Sequence, residues 1–273
     1  MERLRGNAYV MRTILVVLLA CAAADSRAEL PVHKVVAPLV APPPPPPVSI
    51  APPAPAPAPV LKPFASRYKV EAFGFTAGMA DITLVVQSDG RYQYSTALHP
   101  RGLARLVFPS NGTLTTWAEA DGSSVRPLRY SEEDGTAATE DDVALDFDWA
   151  KGTVQGTAHD ESVRLPLPAN TQDPMSIQLA VLLDFAGKRE PLRYSMVDKT
   201  KIKVYEYKSE GRARLETALG PLDTVIYSSN RPGQPTRLTR VWYAPALDYT
   251  PVRSEDINDG KLRVRMMILS LKR

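Results

Sequence analysis

The sequence predicts a mainly β protein: an antiparallel, strongly curved sheet, an open barrel or spiral, with one buried helix over about residues 173–187. Three observations lead there. Short apolar or alternating runs recur at roughly 8–12-residue spacing from residue 68 onward, separated by Gly, Asn and Asp turn signals. No βαβ alternation interrupts them, so the strands should pair antiparallel. A single long run, 171–188, is apolar on nearly every face and carries helix start and stop signals. So many strands must close, split into layers or curl around something, and the helix is the natural filling.

The N-terminus is a separate matter. Arg3, Arg5 and Arg12 precede an apolar run over 13–24, too short for a spanning helix of about 20 residues and typical of a secretory signal. Ser26, Arg27 and Ala28 form a small-x-small cleavage site, so 1–28 is expected to be a signal peptide. The lone cysteine, Cys21, lies inside it. Leu18, Leu19, Ala20 and Cys21 resemble a bacterial lipobox, which makes Cys21 a candidate for lipidation; the alternative is a small apolar residue in a signal that is removed. Either way the mature domain has no disulfide and no thiol chemistry. Residues 29–63 form a proline-rich spacer, with 14 of the 26 prolines between 31 and 63. Such a segment favours extended polyproline II, and 30 residues of it reach roughly 90 Å. Residues 64–273 then make one β domain.

Within that domain, 69–75 and 79–87 read as strands. Ser88, Asp89 and Gly90 turn the chain into 91–98. Asn111 and Gly112 separate 106–108 from 113–120. Asp121 and Gly122 lead into 125–132, and Lys151 and Gly152 join 143–149 to 153–159. After the helix come 192–197, 202–209, 213–219, 223–229, 236–244, 250–256 and, beyond a turn at 258–260, 261–271. In the helix, Asp173 suits the N-cap and Pro174 the first helical position. Gly187 suits a left-handed C-cap, and Lys188 and Arg189 suit the negative end of the helix dipole.

Little in this pattern carries chemistry. The formal net charge is +3, and residues 1–28 hold four Arg against two acids, leaving the mature chain near +1. That balance excludes nucleic acid as the main partner. His33, His99 and His159 have no second ligand at metal spacing, so no metal is expected. Eight carboxylates fall between Glu132 and Asp148 with no Lys or Arg among them. They match no calcium loop; they suit a solvated hairpin, with Asp146 and Asp148 outward on a strand whose Leu145, Phe147 and Trp149 point in. Gly74 and Gly78 lie between strands and mark a turn or bulge. Lys261, Arg263 and Arg265 alternate with Leu262, Val264 and Met266, a basic face that is either solvated or turned to anionic lipid. No catalytic residue and no cofactor is assigned.

Several segments together resemble one family. FGFTAGMADITL (73–84), RGLARLVFPSNG (101–112), DFDW (146–149), LPLPANTQDPMSIQLAVLLD (165–184), ETALGPLDTV (216–225) and WYAPALDYTPVR (242–253) are similar to bacterial envelope proteins carrying the domain of unknown function DUF3108. The resemblance implies a periplasmic or envelope location and supplies no activity or site residues. The expectation is a non-enzymatic envelope protein with a lipid or envelope-protein partner and no spanning helix in the mature chain. The alternatives are a carboxylate-dependent hydrolase of cell-wall polymer and a structural docking module.

Overall fold

The computed structural model describes residues 61–106 and 110–273. The segments expected to be a signal peptide and most of the proline-rich spacer, with Cys21 and His33, lie outside the described residues. Strands β1 (Phe64–Ala72), β2 (Phe75–Val86), β3 (Tyr92–Pro100), β4 (Thr113–Ala120), β5 (Val125–Glu133), β6 (Val143–Asp148), β7 (Thr153–Ala158) and β8 (Glu161–Pro166) form a first meander. The two-residue β9 (Thr171–Gln172) leads to helix α1 (Ser176–Ala186). A second meander follows: β10 (Arg193–Asp198), β11 (Lys201–Thr217), β12 (Gly220–Arg231), β13 (Gln234–Ala244), β14 (Thr250–Asn258) and β15 (Lys261–Lys272).

All fifteen strands belong to one sheet in the order β8-β7-β6-β5-β4-β3-β2-β1-β15-β14-β13-β12-β11-β10-β9, which does not close into a barrel. The first and last long strands, β1 and β15, pair at its centre, and one meander runs outward on each side. Among the described residues every pairing is antiparallel except β9 with β10, where α1 supplies the crossover that a parallel pair requires. Bulges interrupt the register of β1, β2, β4, β11, β12, β13 and β14, among others. Each adds a residue on one strand and increases bend and twist, which curls the sheet. At the β1–β2 bulge a Cβ on Gly78 would lie 2.2 Å from the carbonyl oxygen of His99, so only glycine fits there.

Alternation decides which face is inside. Phe64, Tyr68, Val70, Ile82, Leu84, Tyr94, Leu114, Tyr130, Leu145 and Phe147 point inward and are buried, as are Val252, Val264, Met266 and Ile268 across the seam. As expected from the sequence, Asp146 faces out between Leu145 and Phe147. Trp149 is half-buried, and its indole N–H donates to Pro127 O at 2.7 Å.

The helix fills the curl. Nine of its eleven residues are buried; only Asp184 and Ala186 reach the surface. Its start is tied to the first meander. Thr116 Oγ1 donates to Asp173 Oδ2 at 2.6 Å, and Gln172 Nε2 donates to Val125 O at 2.9 Å. Its body packs on the second meander, Ile177 against Met196 and Tyr205 and Phe185 against Tyr227 and Tyr243. Helix α1 is therefore the joint between two arms of one sheet.

Four expectations change on inspection. Regular helix begins at Ser176 rather than at Pro174. Asp173 still caps the first turn, because its Oδ1 accepts from Met175 N and Ser176 N at 2.7 and 2.8 Å and its own N–H donates to Ser176 Oγ at 2.8 Å. Gly187 is not left-handed (φ −78). Lys188 takes that role (φ 55), with Lys188 N–H bonded to Phe185 O and Arg189 N–H to Asp184 O, the Schellman pattern displaced by one residue. The runs 202–209 and 213–219 are one strand, β11, because Gly211 sits in a bulge and not in a turn. Leu106 ends a 3-10 turn, Gly102–Leu106, instead of starting a strand, and 107–109 lie outside the described residues. The structure adds a strand at 161–166 that the sequence pattern does not mark; His159 and Asp160, both at positive φ, turn β7 into it.

Candidate functional site

The C-terminal end of α1 opens onto a cleft of about 360 Å³ between the start of β1 and the corner joining β13 to β14. Five stretches far apart in sequence build it. Leu61, Lys62 and Phe64 bring the chain into β1, Leu84 comes from the end of β2, and Leu182, Phe185, Ala186 and Lys188 come from α1 and its cap. The corner supplies Pro245, Asp248, Tyr249 and Thr250, and Arg273 closes one side. The corner is a 3-10 turn, Pro245–Leu247, followed by Asp248 and Tyr249, both left-handed. Tyr249 N–H to Ala244 O (2.9 Å) and Thr250 Oγ1 to Leu247 O (2.7 Å) hold that shape. It lays the Tyr249 ring flat on Phe185, with centroids 4.5 Å apart and planes 10° apart.

Floor and rim differ in chemistry. Leu61, Phe64, Leu84, Leu182 and Phe185 are buried and apolar. The rim carries Lys62, Lys188 and Arg273 against a single carboxylate, Asp248. Lys62 Nζ lies 2.9 Å from Asp248 Oδ1, and Arg273 pairs with Asp248 Oδ2. The Lys62 hydrogen bond, then the Arg273 charge, hold the Asp248 carboxyl below its ordinary range. Lys188 has no ion pair among the described residues. Three cations against one acid leave the rim with a formal charge of about +2, an environment for an anionic group above an apolar chamber. The volume falls in the range of about 300–1,000 Å³ usual for small-molecule pockets.

Elsewhere the charged groups have structural work. Among the described residues the buried carboxylates are Asp173, Asp198, Glu255 and Asp256. Asp173 caps α1. Asp198 pairs with Lys203, and Asp256 meets Arg237 through two 3.2 Å bonds in a pair that is nearly fully buried. Glu255 joins Arg253 and Arg265. Arg265 also reaches Glu71 at 3.7 Å, so part of the basic face of β15 is an ion-pair ladder. Burial pushes the Asp173 carboxyl up to about 6, against the lowering effect of its bonds from Thr116, Ser176 and Met175.

The sequence-level candidates do not converge. His99 Nε2 lies 3.2 Å from Asp81 Oδ2 on the outer face, and His159 Nδ1 lies 3.8 Å from Asp141 Oδ1 at a different turn. The acidic loop folds on itself, with Asp134 N–H donating to Asp142 and Lys151 pairing with Asp148. Among the described residues no group of three or more His, Cys, Asp or Glu is placed to hold a metal ion. Gly74 (φ 85) turns β1 into β2 and Gly78 sits in the bulge that follows, so neither cradles a phosphate. No chemical motif marks the cleft in the sequence; its lining comes from five separate stretches, two of them overlapping the family-like segments 165–184 and 242–253.

A one-sheet curl around a buried helix, opening at the helix end into a cationic-rimmed apolar cleft, defines the class of protein. The chain belongs to the DUF3108 family: the model described as "Protein of unknown function (DUF3108)" matches residues 66–268. No curated protein matches it. Among solved structures, a beta-barrel-like protein of domain of unknown function DUF1849 from Brucella abortus is similar over 77% of this chain and 97% of its own. The identity is 11% and the TM-score 0.52, a likeness of fold alone. The MucA/MucB complex of Pseudomonas aeruginosa aligns over 77% of this chain and 51% of the other, at 13% identity and a TM-score of 0.34. The chain thus spans about half the length of that protein. No described helix is long and apolar enough to cross a membrane.

Proposed function

We propose that this is a non-enzymatic protein of the cell envelope, exported to the periplasm by residues 1–28, that holds an amphipathic ligand with an anionic end in the cleft beside Phe185 and Tyr249. The observation that carries the reading is the pairing of a buried apolar floor with a rim of three cations and one acid. An acyl chain would lie over Leu61, Phe64, Leu84, Leu182 and Phe185, and its acid group would meet Lys62, Lys188 and Arg273. The secretory pattern of the N-terminus, Arg3, Arg5 and Arg12 ahead of the apolar run 13–24, supports the envelope setting. The family-like corner supports the site, because it supplies four of the lining residues.

The hydrolase reading needs two carboxylates about 5–10 Å apart in the cleft, and the described lining holds one, already paired with Lys62 and Arg273. Docking through a sheet edge is weakened at β8 by Glu161, Arg164 and Pro166, which blunt an edge against strand addition. The test is a titration of the full chain with a dansylated fatty acid. Ala186 is exposed on the cleft wall, so Ala186→Trp fills the chamber without entering the core. The reading expects saturable binding that weakens about tenfold or more in this variant and in Lys62→Glu, from lost apolar contact and lost charge respectively. Absence of saturable binding, or binding indifferent to Ala186→Trp, overturns it.

A further inference from the structure

At the other end of the central strands the chain does something locally unfavourable. The two-residue hairpin between β1 and β2 is Phe73 and Gly74, both at positive φ (51 and 85). Such a turn favours Asn-Gly or Asp-Gly, and a bulky aromatic in the left-handed region is an outlier. Phe73 is nonetheless there and is 48% exposed, so core packing does not explain it. Phe75, the next residue but one, is 73% exposed. Backbone outliers that packing does not require point to a functional constraint.

The neighbours are of one kind. Phe73 N–H bonds to Arg263 O at 2.8 Å, and the Arg263 guanidinium lies 6.0 Å from the centre of the Phe73 ring. Leu262, 39% exposed, precedes it on β15 beside Lys261. On the other flank Arg101 N–H bonds to Ala77 O at 2.9 Å, which ties the turn carrying Arg101, Leu103 and Arg105 to the start of β2. Leu103 is 76% exposed. Arg101, Arg105, Lys261 and Arg263 have no ion pair among the described residues, and Asp259 is the acid of the adjacent β14–β15 turn. Two phenylalanines and two leucines project from the same strand end amid four cations that have no ion pair among the described residues.

We propose that this strand end, with Phe73 and Phe75 at its tip, docks on the surface of an anionic lipid bilayer. The apolar side chains enter the interface and the cations meet lipid phosphates, the two terms that together hold peripheral proteins on anionic membranes. A protein partner matched to this patch would need a complementary acidic and apolar face, whereas a bilayer needs only the anionic charge and apolar interior it always offers. The surface is independent of the cleft, which lies at the opposite end of β1 and β2. Docking by the tip turns the cleft mouth away from the bilayer.

The test is flotation of the full chain, in a Cys21→Ser background so that no acyl anchor contributes, with vesicles of phosphatidylcholine alone or with added phosphatidylglycerol. The proposal expects flotation that needs phosphatidylglycerol and weakens at high salt. It expects a loss of about tenfold or more in Phe73→Asn/Phe75→Ser, from the lost apolar insertion. Asn suits the left-handed position, so this variant should melt no lower than the parent, and fatty-acid binding in the cleft should be unchanged. Flotation that ignores the tip substitutions, or none with either vesicle, overturns the proposal. Cross-linking of the tip to an envelope protein without flotation also overturns it and assigns the patch to that protein.

Discussion

Asp173 offers the sharpest test of how the helix is held. Its carboxyl is fully buried, and burial raises it from an ordinary 3.8 to about 6. The folded chain therefore binds a proton more tightly than the unfolded chain. Stability from this group is fully present below about pH 3.8 and is lost as pH rises through about 6. A shift of about two units corresponds to roughly 3 kcal/mol. By the same linkage, about 1 kcal/mol is already lost at pH 4.5 and about 3 at pH 7.5, a change of about 2 kcal/mol between them. Asp173→Asn removes the titration and keeps the cap, because the amide oxygen still accepts from Met175 and Ser176 N–H. Its NH₂ can donate to Thr116 Oγ1, whose hydroxyl already has Arg129 O at 3.3 Å as an acceptor. The assay is urea unfolding of both proteins at pH 4.5 and 7.5. The difference, wild type minus variant, should fall by about 2 kcal/mol on going to pH 7.5. A difference independent of pH would refute a buried, neutralised carboxyl. A difference that grew with pH would mean that the bonds to the charged form outweigh desolvation.

Other expectations follow from the same packing. Arg237→Ala takes from the buried Asp256 the guanidinium that meets it through two hydrogen bonds, and should cost about 3–5 kcal/mol in chemical denaturation. Leu179→Ala empties a fully buried site where α1 meets the curl, for about 2–5 kcal/mol by the same method. Lys188→Gly relieves the left-handed C-cap and should stabilise by up to about 1 kcal/mol, seen as a higher Tm.

How far the sequence leads depends on the range of the interaction involved. The helix was legible because an all-apolar run behind Asp-Pro can only be buried, and Asp173 caps its first turn as its type suggests. Its partners Thr116 and Ser176 were not legible; Thr116 arrives from β4, 57 residues away. The strands were legible where turn chemistry was strong, as at Asp121 and Lys151. They were misread where glycine serves two purposes: Gly211 looks like a turn and is a bulge, and Gly187 looks left-handed while Lys188 is. The cleft joins Leu61, Leu84, Leu182, Tyr249 and Arg273, which only the meeting of β1 with β15 and the curl around α1 bring together. One trace did exist: the family-like segments 165–184 and 242–253 both end in its wall, as Leu182 and as the corner from Pro245 to Thr250.

The central claim is an amphipathic ligand seated at the end of α1, and native mass spectrometry of the protein released gently from its own cell envelope tests it most directly. The account predicts a non-covalent adduct of acidic lipid mass on the wild type, lost on denaturation and missing from Ala186→Trp. The same spectrum reads the N-terminus, an acylated Cys21 or a chain starting at Glu29. A wild-type protein that emerges bare, or an adduct that persists in Ala186→Trp, would contradict the assignment of the cleft.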